Sequence, residues 1–392
     1  MRLTRRATLL GLGSAVTFGR VSLAMQTAAT EQRLVVVILR GAMDGMGAVV
    51  PYGDPALAGL RADLMPPAIG KPDGMLDLGG FFGLHPALAG LHQLYGAGEA
   101  LALHAVASDD RSRSHFQAQD TLELGVSTRA ITSGWLNRAA GLVPSHATAE
   151  PALAVGSVTP LLLRGPQPVG NWMPPAMQTP PPDFYAQLTA LHARDSITGP
   201  PLAMALKERG FSAATLAGTA PAPNRTAFPA LSAAAGRLLA APDGPRFAAL
   251  ELEGWDTHAR QKPLLAAALK VLDDGLLALR TGLGAAWPRT AVLVVTEFGR
   301  TAHINGSGGT DHGTASVAFV LGGAVNGGRV RADWPGLSAE RLYESRDLHP
   351  TTDVRAIAKG LLADHIGLKP AALDGVFPGS ARVAPMGGLL RA

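Results

Sequence analysis

The 392-residue chain has no cysteine. Disulfides, thiolate metal sites and cysteine nucleophiles are therefore excluded, and any metal must be held by nitrogen and oxygen ligands. It also lacks a long apolar run at its start: Ala7–Phe18 is too short, and too rich in Gly and Ser, for a spanning helix needing roughly 20 apolar residues. Basic excess is missing too, once position is considered. The chain has 34 Lys+Arg against 30 Asp+Glu, but residues 1–26 hold Arg2, Arg5, Arg6 and Arg20 and no acid, so the remainder carries 30 of each. A formally neutral remainder gives no support for nucleic-acid or anionic-membrane binding, which needs a clustered positive surface, and neither is expected as a partner.

What the N-terminus does have is an order of segments. Arg5-Arg6 follows Thr4, an apolar stretch comes next, and small residues surround Ser22-Leu23-Ala24. That is the order of an export signal, and the paired arginines resemble a twin-arginine signal peptide over residues 1–26, cleaved after Ala24 or slightly later. The expected location is the periplasm or beyond the cytoplasmic membrane, with the twin-arginine export machinery as a partner. No integral membrane segment is expected in the mature chain.

Residues 27–392 suit one large α/β domain. An apolar content of 47% supplies a core, while 47 Gly and 30 Pro predict many loops. Proline crowds Pro160–Pro182 and again Pro221–Pro229. Strand-like runs continue on both sides, so the first of these reads as a surface excursion that covers or rims the functional edge.

Arg33–Leu39, Ala100–Val106, Phe247–Leu252, Ala291–Thr296 and Ser316–Leu321 are short, nearly continuous aliphatic runs, as expected of strands covered on both faces. Helical patterns lie between them at Pro86–Leu94, His115–Leu124, Gln261–Leu283 and Thr352–Leu362. The third puts Leu264, Leu265, Ala268, Val271, Leu272 and Leu276 on one stripe, and Thr351-Thr352-Asp353 opens the fourth like a cap. Strands alternating with helices predict a three-layer α/β/α sandwich with a mostly parallel central sheet.

In such sheets the loops leaving the carboxyl ends of the strands gather at one crevice. Asp44, Ser112 to His115, Asp256 with His258, and Glu297 with Arg300 each fall just after a strand candidate, so four strands deliver polar groups to one edge. Asp311 and His312 lie further along and reach that edge only if glycines 306, 308, 309 and 313 let the loop fold back. Asp256 and His258, two apart in extended backbone, face the same way and suit joint ligation of a divalent metal. Ser114 opens a helix, where amide dipoles stabilise negative charge, and Arg113 offers bidentate binding of phosphate or sulfate. Asp44 before Gly45 also reads as a turn residue, and Ser114 as an ordinary cap.

The segments Leu39–Gly45, Phe82–Pro86, Arg113-Ser114-His115-Phe116, Gly134–Arg138, Gly254-Trp255-Asp256-Thr257-His258, Thr296–Thr301, Gly309–Thr314 and Pro378-Gly379-Ser380 together resemble exported bacterial proteins of the domain of unknown function 1501 family, in the alkaline phosphatase and sulfatase-like superfamily. The resemblance implies an alkaline phosphatase-like fold. It makes Asp44 the first-strand metal aspartate, Ser114 the hydroxyl nucleophile, and Asp256 and His258 the pair of one metal centre. It puts Glu297 where a second centre has its aspartate, His312 as a later ligand, and Asp311 beside the metal or orienting it. Phe298 follows Glu297 where the superfamily pattern has His, so one centre is missing, or reorganised around His115 or Asp311, or both. The function implied is metal-dependent hydrolysis of phosphate or sulfate esters, with one or two zinc, manganese, calcium or magnesium ions. Ser114, Arg113 and His115 are then the catalytic candidates, and the partner is a small-molecule or polymeric ester. The other reading is a degenerate exported member that binds a polymer or a partner protein through an exposed surface near Trp172 and Met173.

Overall fold

The computed structural model describes residues 31–128, 130–144, 150–174, 182–217 and 227–391; residues 1–26, expected to be an export signal, lie outside them, as do residues 175–181 and 221–226 of the two proline-rich stretches. Among the described residues nine strands form the main sheet: β1 (Arg33–Leu39), β2 (Ala100–Ala107), β3 (Ala152–Val155), β4 (Gly170–Trp172), β5 (Phe247–Leu252), β6 (Thr290–Thr296), β7 (Ser316–Leu321), β8 (Arg329–Arg331) and β9 (Thr352–Asp353). Their order is β8-β2-β7-β6-β1-β5-β3-β4, with β9 also pairing β2. All pairings are parallel except the two made by β7, which runs against both β2 and β6.

Alternation along β1 explains the layers. Val35, Val37 and Leu39 point into one core, and Leu34, Val36 and Ile38 into another on the opposite face. Of the helices that position the site, α1 (His115–Leu124) and α2 (Trp135–Ala140) lend Leu122, Trp135 and Leu136 to the second core, joined by Val354 and Ile357 of α5 (Val354–Gly360). The first core is roofed by α3 (Phe228–Ala240) and α4 (Gln261–Leu283). Both sheet faces are therefore covered, which is why the strands read as unbroken aliphatic runs.

Two sequence expectations shift in detail. The buried stripe of α4 runs Leu265, Leu269, Leu272, Leu276, Leu279 and Leu283, while Leu264 and Val271 are 52% and 39% exposed. A three-four spacing carries the true stripe; the two exposed residues sit one position before members of it and fall on its flank. The helix expected over Thr352–Leu362 begins two residues later: Thr352 and Asp353 pair with the end of β2, and Asp353 caps the helix by accepting the Arg355 N–H at 2.8 Å. Part of the proline-rich excursion is built into the sheet, since Gly170–Trp172 is the edge strand beside β3. Trp172 is partly buried against the first core, so packing accounts for it. No helix among the described residues is long and apolar enough to cross a membrane.

Candidate metal centre

The reversed strand β7 creates the site. Because β6 runs outward and β7 runs back, the 297–315 connection leaves and re-enters the sheet at one edge, the carboxyl edge of the parallel strands. Its limbs zip together: Gly299 N–H donates to Thr314 O at 3.0 Å, Thr301 N–H to Asp311 O at 2.9 Å, and Gly313 N–H to Gly299 O at 2.8 Å. The fold-back depends on glycine, since a Cβ on Gly309 would lie 2.4 Å from the carbonyl carbon of His258. Gly41 has a φ of +115°, and a Cβ there would meet the Asp256 nitrogen at 2.8 Å, so the loops after β1 and β5 touch only because this position lacks a side chain.

Three imidazoles and one carboxylate converge there. His312 Nε2 lies 3.1 Å from His115 Nε2, 3.0 Å from His258 Nε2 and 3.2 Å from Asp256 Oδ1. Asp256 Oδ1 is 2.9 Å from His258 Nε2, and Asp256 Oδ2 is 3.6 Å from His115 Nε2. Ligands at 2.0–2.1 Å from a tetrahedral ion stand roughly 3.3 Å from one another, so these separations match the edges of a coordination shell.

The far nitrogen of each ring decides what the near ones carry. His115 Nδ1 lies 2.8 Å from Glu297 Oε1, His312 Nδ1 2.9 Å from the Arg113 carbonyl, and His258 Nδ1 3.3 Å from Asp311 Oδ1. All three partners only accept, so each Nδ1 carries the hydrogen and, in the neutral ring, each Nε2 presents a lone pair. Three lone pairs beside a carboxylate repel unless a cation sits among them, and an acceptor behind each histidine is the usual support of a metal ligand. The residues therefore fit a divalent ion, with His115, His312 and Asp256 as ligands and His258, which closes on His312 and Asp256, placed beside them.

The electrostatics of the rings, without an ion, pull in different directions. Burial pushes the His312 ring toward its neutral form, whereas the hydrogen bond to Glu297 raises the pKa of His115. Burial opposes ionisation of Asp256, but the buried Arg300, whose Nη1 donates to Oδ1 at 2.6 Å, holds that carboxyl below its ordinary value. Phe298 stands where the resemblance led one to look for a ligand, and it forms a wall instead. Its ring lies 4.9 Å from that of His115 and 5.1 Å from that of His312.

The other candidates take different places. Glu297 is fully engaged: Oε1 accepts from Gly41 N–H, His115 and Gln119 Nε2 at 2.8, 2.8 and 3.0 Å, and Oε2 lies 3.0 Å from the Thr296 hydroxyl. Burial opposes its charge, yet the bonds from His115 and Gln119 hold its pKa below the usual range. Asp311 stands behind His258 and also accepts from Asn305 Nδ2 at 3.1 Å. Neither acid is among the converging atoms; both orient histidines. Asp44 is buried against Arg61 and lies outside the cluster. His115, expected beside Ser114 as a catalytic residue, has its Nε2 in the cluster.

Ser114 is the N-cap of α1, and its side chain makes no capping bond. Arg113 before it has a φ of +57°, a conformation costing a non-glycine residue of order 1 kcal/mol or more, and this aims its carbonyl at His312. Its guanidinium is already paired with Glu344 at 2.6 Å and Asp347 at 2.8 Å. Sequence reasoning did not find Gln119, Gln261 or Arg61, because their partners are remote in the chain and no motif marks them. Changing Glu297 to Gln, which keeps an acceptor oxygen but removes the negative charge behind His115, is expected to weaken zinc affinity roughly 10–100-fold with little loss of fold. Calorimetric titration with zinc checks this, and an affinity within twofold of the parent would count against the orienting role.

A family model described as "Protein of unknown function (DUF1501)" matches residues 96–377. None of the curated proteins compared matches the chain. Among solved structures, a phosphonate monoester hydrolase of Agrobacterium radiobacter is 12% identical, with 77% of this chain and 70% of that one covered and a TM-score of 0.35. A magnesium-bound mutant of TAB5 alkaline phosphatase is 11% identical over 78% of this chain and 95% of that one, with a TM-score of 0.36. The protein Ps i-CgsB in complex with k-i-k-neocarrahexaose is 12% identical over 77% and 68%, with a TM-score of 0.36.

Proposed function

The chain belongs to the DUF1501 family, and from the geometry of its own side chains we propose that it is an exported, metal-dependent hydrolase of phosphate or sulfate esters. The observation that carries this reading is the convergence of His115 Nε2, His258 Nε2 and Asp256 Oδ1 on His312 Nε2 at 3.0–3.2 Å. A divalent ion held there supplies a Lewis acid for an ester oxygen.

The protein's own residues do the rest. Ser114 lies at the first turn of a ten-residue helix, where backbone N–H groups favour an anion, and its hydroxyl is not spent on capping. Its Oγ attacks phosphorus or sulfur, and the ester oxygen leaves as the alcohol with the serine proton. Water then cleaves the serine ester, restores the hydroxyl and releases the inorganic anion. Arg113, Arg300 and Arg61 are each tied to carboxylates. Arg346 is half-exposed beside the site: its Nη2 donates to the His312 carbonyl at 2.9 Å and its Nη1 lies loosely against Asp347 Oδ1 at 3.6 Å, so of these guanidiniums it is the one best able to turn to a substrate oxyanion. Phe298 keeps one side of the site apolar, which strengthens each of these charge interactions.

The test joins elemental analysis of protein purified without chelator to turnover of a panel of nitrophenyl phosphate mono- and diesters and nitrophenyl sulfate. At least one ester should be hydrolysed, with activity lost on chelation and restored by the ion. Metal-loaded protein inert toward the whole panel would sink the ester assignment; metal-free, inactive protein would favour a degenerate binding role. Export makes a separate expectation. Protein recovered from its native envelope should lack Met1–Ala24 on N-terminal sequencing, and an intact Met1 found only in cytosol would refute it.

A further inference from the structure

We infer that the chain holds a single metal ion, because the guanidinium of Arg61 takes the place of a second cation at Asp44. This rests on the metal reading above.

Asp44 leaves β1 at the site's edge and by its position suits a ligand, yet its carboxylate is saturated. Arg61 Nη1 lies 3.0 Å from Oδ1 and 2.9 Å from Oδ2, and Gln261 Nε2 donates to Oδ2 at 2.6 Å. The direction of the Gln261 amide is fixed from behind, since its Oε1 accepts from the Thr257 and Thr310 hydroxyls at 3.0 and 2.6 Å. Arg61 is equally committed. Its Nε donates to the Ala302 carbonyl at 3.1 Å and its Nη2 to that of Thr301 at 2.7 Å, both in the 297–315 connection that carries His312. Asp44 and Arg61 are 0% and 2% exposed, so no water competes for the pair.

A divalent ion at Asp44 would have to displace a buried guanidinium from two carbonyls and a carboxylate, leaving a second buried charge unpaired. Breaking a buried pair so that one charge is left uncompensated is strongly unfavourable in a low-dielectric site. Glu297, the other carboxylate from which a second centre would be built, has both oxygens occupied by His115, Gln119, Gly41 and Thr296. The covalently attached cation does one thing a metal cannot: it stays when the ion leaves, keeping the 301–302 backbone docked on the loop after β1.

The experiment equilibrates the full chain with excess zinc, removes unbound ion and counts zinc per chain, for the parent, for Asp44→Asn and for the double variant Asp44→Asn/Arg61→Met, which removes both charges and so leaves neither unpaired. One zinc per chain is expected in all three, with an affinity changed less than about threefold. Two zinc per chain in the parent would overturn the inference while leaving the metal reading intact. So would a loss of zinc, or a fall in affinity of tenfold or more, in a double variant whose circular dichroism matches the parent. No zinc in the folded parent would overturn both.

Discussion

Replacing His312 with alanine is expected to abolish metal retention and, with it, ester hydrolysis. The magnitude follows from position. His312 Nε2 lies within 3.2 Å of a donor atom on each of His115, His258 and Asp256, so it is the hub of the cluster. Removing an outer-shell partner typically costs 10–100-fold in affinity, and removing the central ligand should cost well over roughly 100-fold. The fold should survive, because β7 behind it is anchored by Val317, Phe319 and Leu321 in one core and Ala318 and Val320 in the other. Elemental analysis with circular dichroism separates the outcomes. A folded His312→Ala chain that retains the parent's metal would refute the proposed centre.

Much of the scaffold behind this site was legible. Phe247–Leu252 and Ser316–Leu321 are strands at the bounds their aliphatic runs imply, and Gln261–Leu283 is a helix over its full periodic stretch. Such elements are marked by local pattern. The direction of β7 was not legible, because a buried strand reads alike either way; yet that reversal is what returns His312 to the edge where β6 ends. The short β3, four residues of Ala, Leu and Val after Pro151, carries too little pattern to stand out.

For the site, residue types were more legible than roles. Asp256, His258 and His312 stand out through their glycine-flanked clusters. His115 was visible as the neighbour of Ser114 and as one residue around which a centre is reorganised, but its place was not, because its partners Glu297 and His312 are 182 and 197 residues away. Asp44 and Glu297 are acids after buried strands, and nothing nearby in sequence says whether such an acid faces an ion, a guanidinium or an imidazole. Their neutralising partners come from other loops, so only the assembled edge separates a ligand from a residue that orients one.

Changing Ser114 to alanine should leave metal content unchanged while lowering turnover of the best ester by about 10³-fold or more, the scale on which loss of a nucleophile is felt when binding and charge stabilisation persist. The separation is physical. Ser114 Oγ contributes nothing to the cap of α1, so its removal costs the helix little, and His115 remains held by Glu297 whether or not the hydroxyl is there. Zinc equivalents should therefore match the parent, while single-turnover trapping on the protein, measured with a radiolabelled ester, should vanish. Hydrolysis equal in both forms would take Ser114 out of the chemistry and leave water as the nucleophile at the same centre. A parallel loss of zinc would instead show the helix start to be part of the metal shell, because the first turn that presents Ser114 also carries His115 into it.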